Sequence, residues 1–338
     1  MEKKVTIREV AKEAGVAIST VSNALNGSDL VKEATRERVC AAADRLGYIP
    51  NMNGRILKGG RSKQLCFLTS SVKGEYFIKL IESINNTCVR FGYGLHIYIT
   101  WDKSVVMKQL LGRQFDGFFI FEGERVQEPE LEIINKEQIP VVLVDRKYSS
   151  RCIGSVVFDS CRAGMELTEY LVGLGHKRFC FVDSYFDTYD AVERKRGFFQ
   201  ALNAAGIPRD SASVIQGHFD ENITFSAVLA LLSQCKLSHV LPPTAYVCGN
   251  DKSAIGAIKA LKEAGASVPE EISVAGFDDI ELAQYFHPSL TTVRNPIEQQ
   301  GKAAVDMMIE MLENEQPGSV VELQGAIVAR NSTSIYRK

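Results

Sequence analysis

Short apolar runs recur along most of the chain and predict buried β-strands. Eight of these runs read LCFLTS, GLHIYIT, GFFIF, PVVLVD, SVVFD, RFCFVD, TAYVCG and ISVAGFD. Their near-continuous hydrophobicity is typical of strands that are buried on both faces, as in a parallel sheet. Amphipathic segments at 77–91, 162–174, 196–205 and 253–264 separate them and predict crossover helices. Roughly eleven strand candidates are too many for one modest sheet, so the pattern favours two doubly wound α/β lobes.

The N-terminal part of the chain follows a helical pattern instead. Residues 6–9 (TIRE) have the form of a capping box, and apolar residues then recur at helical spacing as far as Gly15. The pattern predicts a second helix from Ile18 to Leu25 and a third over about 32–46. Two short helices joined by a glycine turn and braced by a third predict a helix-turn-helix. By pattern alone, a generic three-helix bundle with a hydroxyl-rich surface helix is the alternative.

The stretch at 48–60, YIPNMNGRILKGG, predicts a hinge. A proline stop and an asparagine cap are followed by barely two turns of helix and then by a Gly-Gly break. A helix this short is marginal in water, so it needs a partner in order to form. Arg55 and Lys58 suit a phosphate backbone, and Leu57 is an apolar wedge of the kind that enters a minor groove. The sequence therefore predicts a helix-turn-helix head at 1–49, a hinge helix and linker at 50–60 and a body at 61–338.

The charge distribution separates the same parts of the chain. Residues 1–63 hold 12 Lys and Arg against 7 Asp and Glu, a net charge of +5, whereas the remainder carries −7. A basic head on an acidic body is expected when only the head meets a polyanion such as nucleic acid. A charge imbalance is also common on an ordinary solvated face, so this feature supports the helix-turn-helix interpretation without deciding it.

The cysteine and histidine positions predict neither a metal site nor a disulfide framework. The eight cysteines contain no C-x-x-C pair, and the histidines show no H-E-x-x-H spacing. Most cysteines lie inside apolar runs, where free thiols pack as small hydrophobes. We therefore expect no metal and no cofactor. Without an apolar signal core or a membrane-length apolar run, the cytoplasm is the expected compartment.

An enzyme and the solute-binding protein of a transporter are the alternatives for such a body. The chain has no G-x-x-x-x-G-K-[ST], G-x-S-x-G, Y-x-x-x-K or complete G-x-G-x-x-G motif. Pairing Asp278 with Asp279 as acid and base is disfavoured, because neighbours at a strand end point apart. A solute-binding protein is expected to carry an export signal and no helix-turn-helix. The sequence therefore favours a ligand-controlled DNA-binding regulator and not an enzyme.

Polar side chains follow several predicted strands at their carboxyl ends. Asp145 ends PVVLVD, Asn250 follows TAYVCG, and Asp278 ends ISVAGFD. Ligands of doubly wound folds bind at this edge of the sheet, so these residues are candidate ligand contacts. Arg194 adds a donor from the loop predicted after RFCFVD, and nearby aromatics suited to a ring face are Tyr76, Phe77, Trp101 and Phe219. Taken singly, such polar residues are also explained as caps of the following helices.

Several longer segments resemble the lactose/galactose-repressor (LacI/GalR) family of bacterial transcription regulators. In the head they are VTIREVAKEAGVAISTVSNALN and TRERVCAAADRLGYIPN, followed by the hinge with Leu57. In the body they are GLGHKRFCFV, the R-x-x-G-F that begins at Arg194, CGNDKSAIGAIKALKEAG, VPEEISVAGFDD and LTTVRNP. The resemblance covers nearly the whole chain and matches in order and spacing. It implies a helix-turn-helix head on a body similar to periplasmic sugar-binding proteins.

The resemblance implies two groups of DNA contacts. The recognition helix is expected to read bases through Ile18, Ser19, Ser22, Asn23 and Asn26. The second group is expected to contact the DNA backbone or the central base step and comprises Thr35, Tyr48, Asn51, Arg55 and Leu57. Three positions depart from the family pattern. Ala17 stands in place of a serine cap. Asn23 stands in place of a common arginine, and this change favours adenine over guanine. Gly54 stands in place of a hinge alanine.

The resemblance also implies an effector site in a cleft between two lobes. With the aromatic candidates included, its contacts are expected to be Ser70, Tyr76, Phe77, Phe121, Asp145, Arg194, Phe219, Asn250, Asp278 and Asn295. Phe121 occupies a position that is often polar in the family, so the ligand is expected to present an apolar patch there. One lobe is expected to span 61–160 plus 291–320, and the other 161–290 plus 321–338.

The family resemblance implies a homodimer whose two heads read half-sites of double-stranded operator DNA, with paired hinge helices in the minor groove. We therefore expect a transcriptional repressor controlled by a small-molecule effector, a sugar or sugar derivative. Closure of the lobes is expected to shift the dimer interface and bias hinge folding. The identity of the effector, whether it releases or recruits DNA binding, and the operator sequence stay open at this point.

Overall fold

A computed structural model describes residues 5–25, 28, 30–48, 61–121, 126–184 and 188–337. The chain divides into two units, Met1–Ser62 and Lys63–Lys338, and each is described by itself. Within the described ranges, no helix is long and apolar enough to cross a membrane.

The head consists of three short helices, α1 (Ile7–Ala14), α2 (Ile18–Leu25) and α3 (Glu33–Leu46). The Glu9 carboxylate closes the capping box by accepting a 2.7 Å hydrogen bond from the Thr6 backbone N–H. Gly15 follows α1 at φ 64°, a left-handed conformation that turns the chain into α2. The buried side chains at the centre are Val10, Ala14, Val21, Ala24, Val39 and Ala42. These elements confirm the predicted helix-turn-helix.

The body contains two sheets dominated by parallel pairs, one in each lobe. The first sheet has the strand order β11-β5-β4-β3-β1-β2 and only parallel pairs. Its strands are β1 (Gln64–Thr69), β2 (Gly94–Ile99), β3 (Gly117–Phe121), β4 (Val141–Leu143), β5 (Ile153–Phe158) and β11 (Val320–Leu323). Apolar clusters cover the sheet and include residues of α4 (Glu75–Arg90), α5 (Lys103–Leu111), α6 (Glu128–Lys136) and α12 (Ile297–Glu313).

The second sheet has the order β12-β10-β9-β8-β6-β7, and only the β10–β12 pair is antiparallel. Its strands are β6 (Phe179–Asp183), β7 (Ala212–Gln216), β8 (Ala245–Cys248), β9 (Ser273–Phe277), β10 (Thr291–Arg294) and β12 (Ala326–Val328). The helices of this lobe are α7 (Ser160–Gly173), α8 (Tyr189–Ala204), α9 (Glu221–Leu237), α10 (Asp251–Glu263) and α11 (Glu281–Tyr285). Two doubly wound lobes confirm the predicted α/β fold class.

Three crossovers connect the lobes: β5 to α7, β10 to α12, and β11 to β12. Because β10 pairs with β9 and β11 pairs with β5, the second and third crossovers fall at 295–296 and 324–325. The lobe boundaries expected at 291 and 321 therefore differ from the structure by a few residues. The strands beside these crossovers are short, so no long apolar run marks where each lobe ends.

The N-terminal part of α8 also differs from the prediction. The helix begins at Tyr189 rather than near 196, so Arg194 lies in its second turn and not in a loop. Polar residues dominate these first turns, YDAVERK, and hide the helical periodicity. Gly197, the glycine of the R-x-x-G-F motif, faces α7 so closely that a Cβ there would clash with the Cys161 carbonyl oxygen. This close packing of α7 and α8 fixes the position of Arg194.

All eight cysteines are free, and most of them are buried. Burial raises the pKa of the Cys66 and Cys88 thiols to about 12. These side chains are therefore neutral thiols packed in the core, as the apolar runs around them predict.

Candidate DNA-binding and effector-binding sites

The outer face of α2 is the candidate DNA-reading surface. Val21 is fully buried and fixes which side of the helix faces outward. Ile18 and Ser19 are exposed at the start of the helix, and Ser22 and Asn23 are half-buried further along it. Short hydroxyl and amide side chains can approach base edges closely enough to hydrogen-bond them. These four residues stay candidates for base contacts.

The other predicted DNA contacts fall in two groups. Thr35 is half-buried in the first turn of α3, and Tyr48 packs against the apolar centre of the head. The remaining positions, Asn26, Asn51, Arg55 and Leu57, lie outside the described residues, as do Gly54 and the predicted hinge at 50–60. Their roles on DNA stay predictions from the resemblance.

A cavity of about 530 Å³ lies between the two lobes of the body, a size typical of small-molecule sites. The predicted effector contacts that line it are Ser70, Tyr76, Phe77, Phe121, Asp145, Arg194, Phe219, Asn250 and Asp278. Most of them lie at or just after the carboxyl ends of strands, and the others come from the first turn of α4 and the second turn of α8. Both sheets therefore direct residues into one cavity, as doubly wound folds do.

Three aromatic rings cluster on the first-lobe side of the cavity. The centroids of the Phe77 and Phe121 rings lie 4.9 Å apart, edge to face at 75°. The Tyr76 ring lies 5.5 Å from Phe77 and 5.7 Å from Phe121. Trp101 and, from the second lobe, Phe219 also line the cavity. Such a surface can cover the apolar face of a ring-shaped ligand.

Arg194 is the buried cation on the second-lobe side and is 4% exposed. Its Nη1 donates a 2.5 Å hydrogen bond to the Gly249 carbonyl oxygen, and its Nη2 lies 3.6 Å from Asp278 Oδ1. The guanidinium carbon sits 4.6 Å from the centroid of the Phe277 ring. Among the described residues, its Nε has no hydrogen-bond partner. The side chain is thus held in one place, and its Nε–H remains unpaired among the described residues.

Asp278 is the acceptor opposite this cation. Burial raises the pKa of Asp278 to about 6, Arg194 opposes the shift, and the carboxylates of Asp190 and Glu75 add to it. Asn295 does not line the cavity, contrary to the prediction. It is buried in the crossover after β10, and its side chain hydrogen-bonds Asp278. Asn295 therefore supports the cavity indirectly, by holding this carboxylate.

Two family models match the chain. Residues 6–51 match "Bacterial regulatory proteins, lacI family", and residues 168–333 match "Periplasmic binding protein-like domain". The HTH-type transcriptional repressor PurR of Vibrio atlanticus is 32% identical over 332 residues, which cover 97% of this chain and 98% of that protein. The PurR repressor of Photorhabdus laumondii is 33% identical over 334 residues, which cover 97% of this chain and 96% of that protein.

The chain belongs to the lacI family. It is a DNA-binding transcriptional repressor with a ligand-binding domain. The structure of the Lac repressor dimer bound to operator and the anti-inducer ONPF is 25% identical, with a TM-score of 0.84, and covers 98% of this chain and 100% of that chain. The CelR–cellobiose complex is also 25% identical, with a TM-score of 0.71, covering 97% and 100%. These likenesses confirm the family inferred from the head and body motifs.

In this lacI-family body, Tyr76 is tied to α12 by a buried glutamine. The Tyr76 hydroxyl donates a 2.9 Å hydrogen bond to Gln300 Oε1. Gln300 Nε2 in turn donates to the carbonyl oxygens of Val144 at 2.8 Å and Val156 at 3.0 Å. Because Gln300 is 2% exposed, the aromatic cluster is anchored to the interior of the first lobe.

The lacI-family cavity contains residues that the sequence analysis missed. They are Lys73, Gly74, Glu75, Gln127, Arg146, Thr188, Tyr189, Asp190, Lys252 and Ile280. A signal for the start of α8 is present in the sequence, because the Thr188 hydroxyl caps the helix by accepting a 3.4 Å hydrogen bond from the Ala191 N–H. That cap brings Tyr189 and Asp190 to the cavity.

Asn250 of this lacI-family chain both caps a helix and lines the cavity. Its Oδ1 caps α10 by accepting a 2.9 Å hydrogen bond from the Ser253 N–H, and its Nδ2 donates to the Phe219 carbonyl oxygen at 3.3 Å. The residue still lines the cavity.

Within the described ranges, no group of three or more His, Cys, Asp or Glu is arranged to hold a metal ion.

Proposed function

We propose that this repressor changes its affinity for operator DNA when a small ring-shaped effector binds in the 530 Å³ cavity. The observation that carries the proposal is the cavity's two-sided composition. Clustered aromatic rings of the first lobe face the buried Arg194–Asp278 pair of the second. An apolar ring face packs on the aromatics while its polar substituents hydrogen-bond the charged side chains. A ligand that contacts both lobes favours their closed arrangement.

The proposed effector carries several hydrogen-bond donors, and a sugar or sugar derivative is the first candidate. Asp145, Asp190 and Asp278 all line the cavity. Arg194 already faces Gly249 and Asp278, so the surroundings of this pair are rich in acceptors. A phosphate or carboxylate placed beside these aspartates meets like charge, whereas ring hydroxyls find acceptors. In support, the CelR structure is a complex with cellobiose.

A planar heterocycle such as a nucleobase is the second candidate. The cluster of Tyr76, Phe77 and Phe121, together with Trp101, offers more aromatic surface than one sugar ring needs. The Nε of Arg194 is suited to a ring nitrogen or carbonyl, and the carboxylates are suited to exocyclic amines. A ligand screen separates the two classes.

We further propose that the repressor acts in the cytoplasm as a homodimer on double-stranded operator DNA. Two heads are needed to read two half-sites, and the solved Lac repressor structure is a dimer bound to operator. In this proposal the chain is used as a head at 1–49, a hinge at 50–60 and an effector body at 61–338. Effector binding biases the pairing of the two hinges in the minor groove, and no catalytic step is involved.

Trp101 provides the experiment that tests the effector site. It is the single tryptophan of the chain and lines the cavity, so fluorescence excited selectively at tryptophan reports on this place. We would titrate the full-length protein with sugars, sugar phosphates, nucleobases and amino acids. The proposal predicts a saturable signal that is lost in Trp101→Phe and requires at least tenfold more ligand in Arg194→Met.

Arg209→Met is the matched control for this titration. Arg209 also stacks on an aromatic ring, with its guanidinium carbon 4.1 Å from the centroid of Phe199, but it does not line the cavity. Its substitution should leave the ligand affinity unchanged. A compound that alters operator binding without affecting Trp101 fluorescence, at equal potency in Arg194→Met, would place the effector elsewhere and end this proposal.

A further inference from the structure

Glu75 reaches across the cleft from the first lobe to the second. It begins α4, and its two carboxylate oxygens accept hydrogen bonds of 3.1 and 2.9 Å from the backbone N–H of Glu281. Glu281 begins α11, whose Ala283 is buried in the apolar core of the second lobe. Glu75 and Ile280 both line the cavity. The contact therefore joins the two lobes beside the candidate effector site.

The Glu75 carboxylate is held for this contact by its own helix. Lys79 lies one turn later on α4, with its Nζ 2.5 Å from Glu75 Oε1. On the other side, the Glu281 N–H belongs to the first turn of α11, where amides have no partner within the helix. When the lobes separate, this amide loses its acceptor while Glu75 keeps Lys79. The two hydrogen bonds consequently depend on the close approach of the lobes that this structure shows.

We propose that Glu75 is a latch that sets how readily the cleft closes. Its regulatory meaning rests on the effector-controlled function proposed above, although the contact itself needs no ligand. The acceptor is charged, and hydrogen bonds to charged groups are roughly twice as strong as neutral ones. Loss of the latch shifts the ratio of closed to open molecules toward the open state by about five- to tenfold.

A second contact across the cleft is less decisive than the latch. Lys147 follows β4 in the first lobe and hydrogen-bonds Tyr189 at the start of α8. It is also paired with Glu322 in its own lobe. A long lysine side chain can follow Tyr189 over some distance, whereas Glu75 bonds a backbone amide that moves only with α11. The Glu75 contact is therefore the one that reports closure directly.

Amide hydrogen exchange of the full-length protein tests the latch without any ligand. In the wild type, the Glu281 amide should exchange more slowly than the Leu282 amide, another first-turn amide of α11. Glu75→Ala should speed exchange at Glu281 about five- to tenfold. Glu75→Gln keeps an acceptor oxygen but loses the charge, and it should give an intermediate rate.

Glu169→Ala is the control, since it removes the same charge from an exposed position on α7 and should leave the exchange rate unchanged. Equal exchange at Glu281 in the wild type and Glu75→Ala overturns the latch. If Glu75→Ala does not fold, the wild-type comparison still decides: a Glu281 amide that exchanges as fast as Leu282 overturns the proposal.

Operator affinity separates the latch from the function on which it rests. If exchange at Glu281 changes as expected but no ligand alters operator binding, the latch stands and the proposed effector control fails. If a ligand alters operator binding but the exchange rate at Glu281 is the same in the wild type and in Glu75→Ala, the effector control stands and the latch fails.

Discussion

Asp278 and Asp279 are neighbours in the chain, yet their carboxylates have opposite surroundings. Asp278 lines the cavity, where burial raises its pKa to about 6. Asp279 instead accepts hydrogen bonds of 2.5 Å from Arg330 and 2.7 Å from Arg294. Burial acts to raise the pKa of Asp279, but the two arginines outweigh it and lower the pKa. One carboxylate is available to a ligand, and the other fastens the C-terminal segment to β10.

Asp278→Asn should stabilise the effector-free protein near neutral pH. A raised native pKa means that the folded protein binds the proton more tightly than the unfolded chain, so stability falls as the pH rises from about 4 to about 6. Asparagine resembles the neutral acid and tolerates the φ of 105° at this position. We predict that the free energy of unfolding, measured with guanidinium, rises by about 1–3 kcal/mol at pH 7.5 and that this gain disappears near pH 4. A loss of stability at pH 7.5 would refute this.

Asp279→Asn should have the opposite effect. Its lowered native pKa contributes stability that is present above the ordinary aspartate pKa and is lost as the pH falls below it. Removing one partner from the cluster with Arg294 and Arg330 should lower the free energy of unfolding by about 1–3 kcal/mol at pH 7.5 and by progressively less below about pH 4. The same unfolding series measures it, and equal shifts for both asparagine variants would contradict the assignment of their surroundings.

The Tyr76–Gln300 contact should be measurable as a coupling energy. Tyr76→Phe removes one hydrogen bond, whereas Gln300→Met leaves two buried carbonyl oxygens without their donor. We expect losses of about 1 and about 2–3 kcal/mol in the free energy of unfolding. The double variant should lose about 1 kcal/mol less than the sum, because the shared hydrogen bond is removed only once. Strict additivity would show that the tyrosine is not held by the glutamine.

Ser19→Ala and Asn23→Ala should weaken operator binding selectively. Both side chains lie on α2, the candidate recognition helix, and can hydrogen-bond base edges, so they are expected to contact bases. Each substitution should cost about 1–3 kcal/mol on the operator, while affinity for random DNA and its salt dependence stay nearly constant. Competition binding at two salt concentrations measures this. Equal losses on operator and random DNA would argue against base readout.

Much of the fold was predictable because its central strands are apolar on both faces. All five residues of β6 are buried, for example, and RFCFVD marks the strand in the sequence. The head was equally predictable, because a capping box begins α1 and glycines in the left-handed conformation follow α1 and α3. The short strand β11 escaped detection because it alternates between exposed and half-buried residues at the sheet edge.

The candidate site was predictable where position along a strand determines it. Asp145, Asn250 and Asp278 follow strands, so the doubly wound pattern alone brings each of them to the carboxyl edge of its own sheet. Asn295 shows the limit, because nothing local distinguishes a ligand contact from a residue that holds another side chain in place. The Glu75–Glu281 contact joins residues 206 positions apart, and only the packing of two lobes creates it.

We expect a ligand in the cavity to control how tightly the head binds DNA. Fluorescence anisotropy measures this directly, using a labelled operator fragment that the full-length protein has selected from random DNA. With a ligand that saturates the Trp101 signal, we predict at least a tenfold change in operator affinity. The change should disappear in Arg194→Met at the same ligand concentration while DNA binding itself persists. Equal operator affinity with and without that ligand would contradict the account.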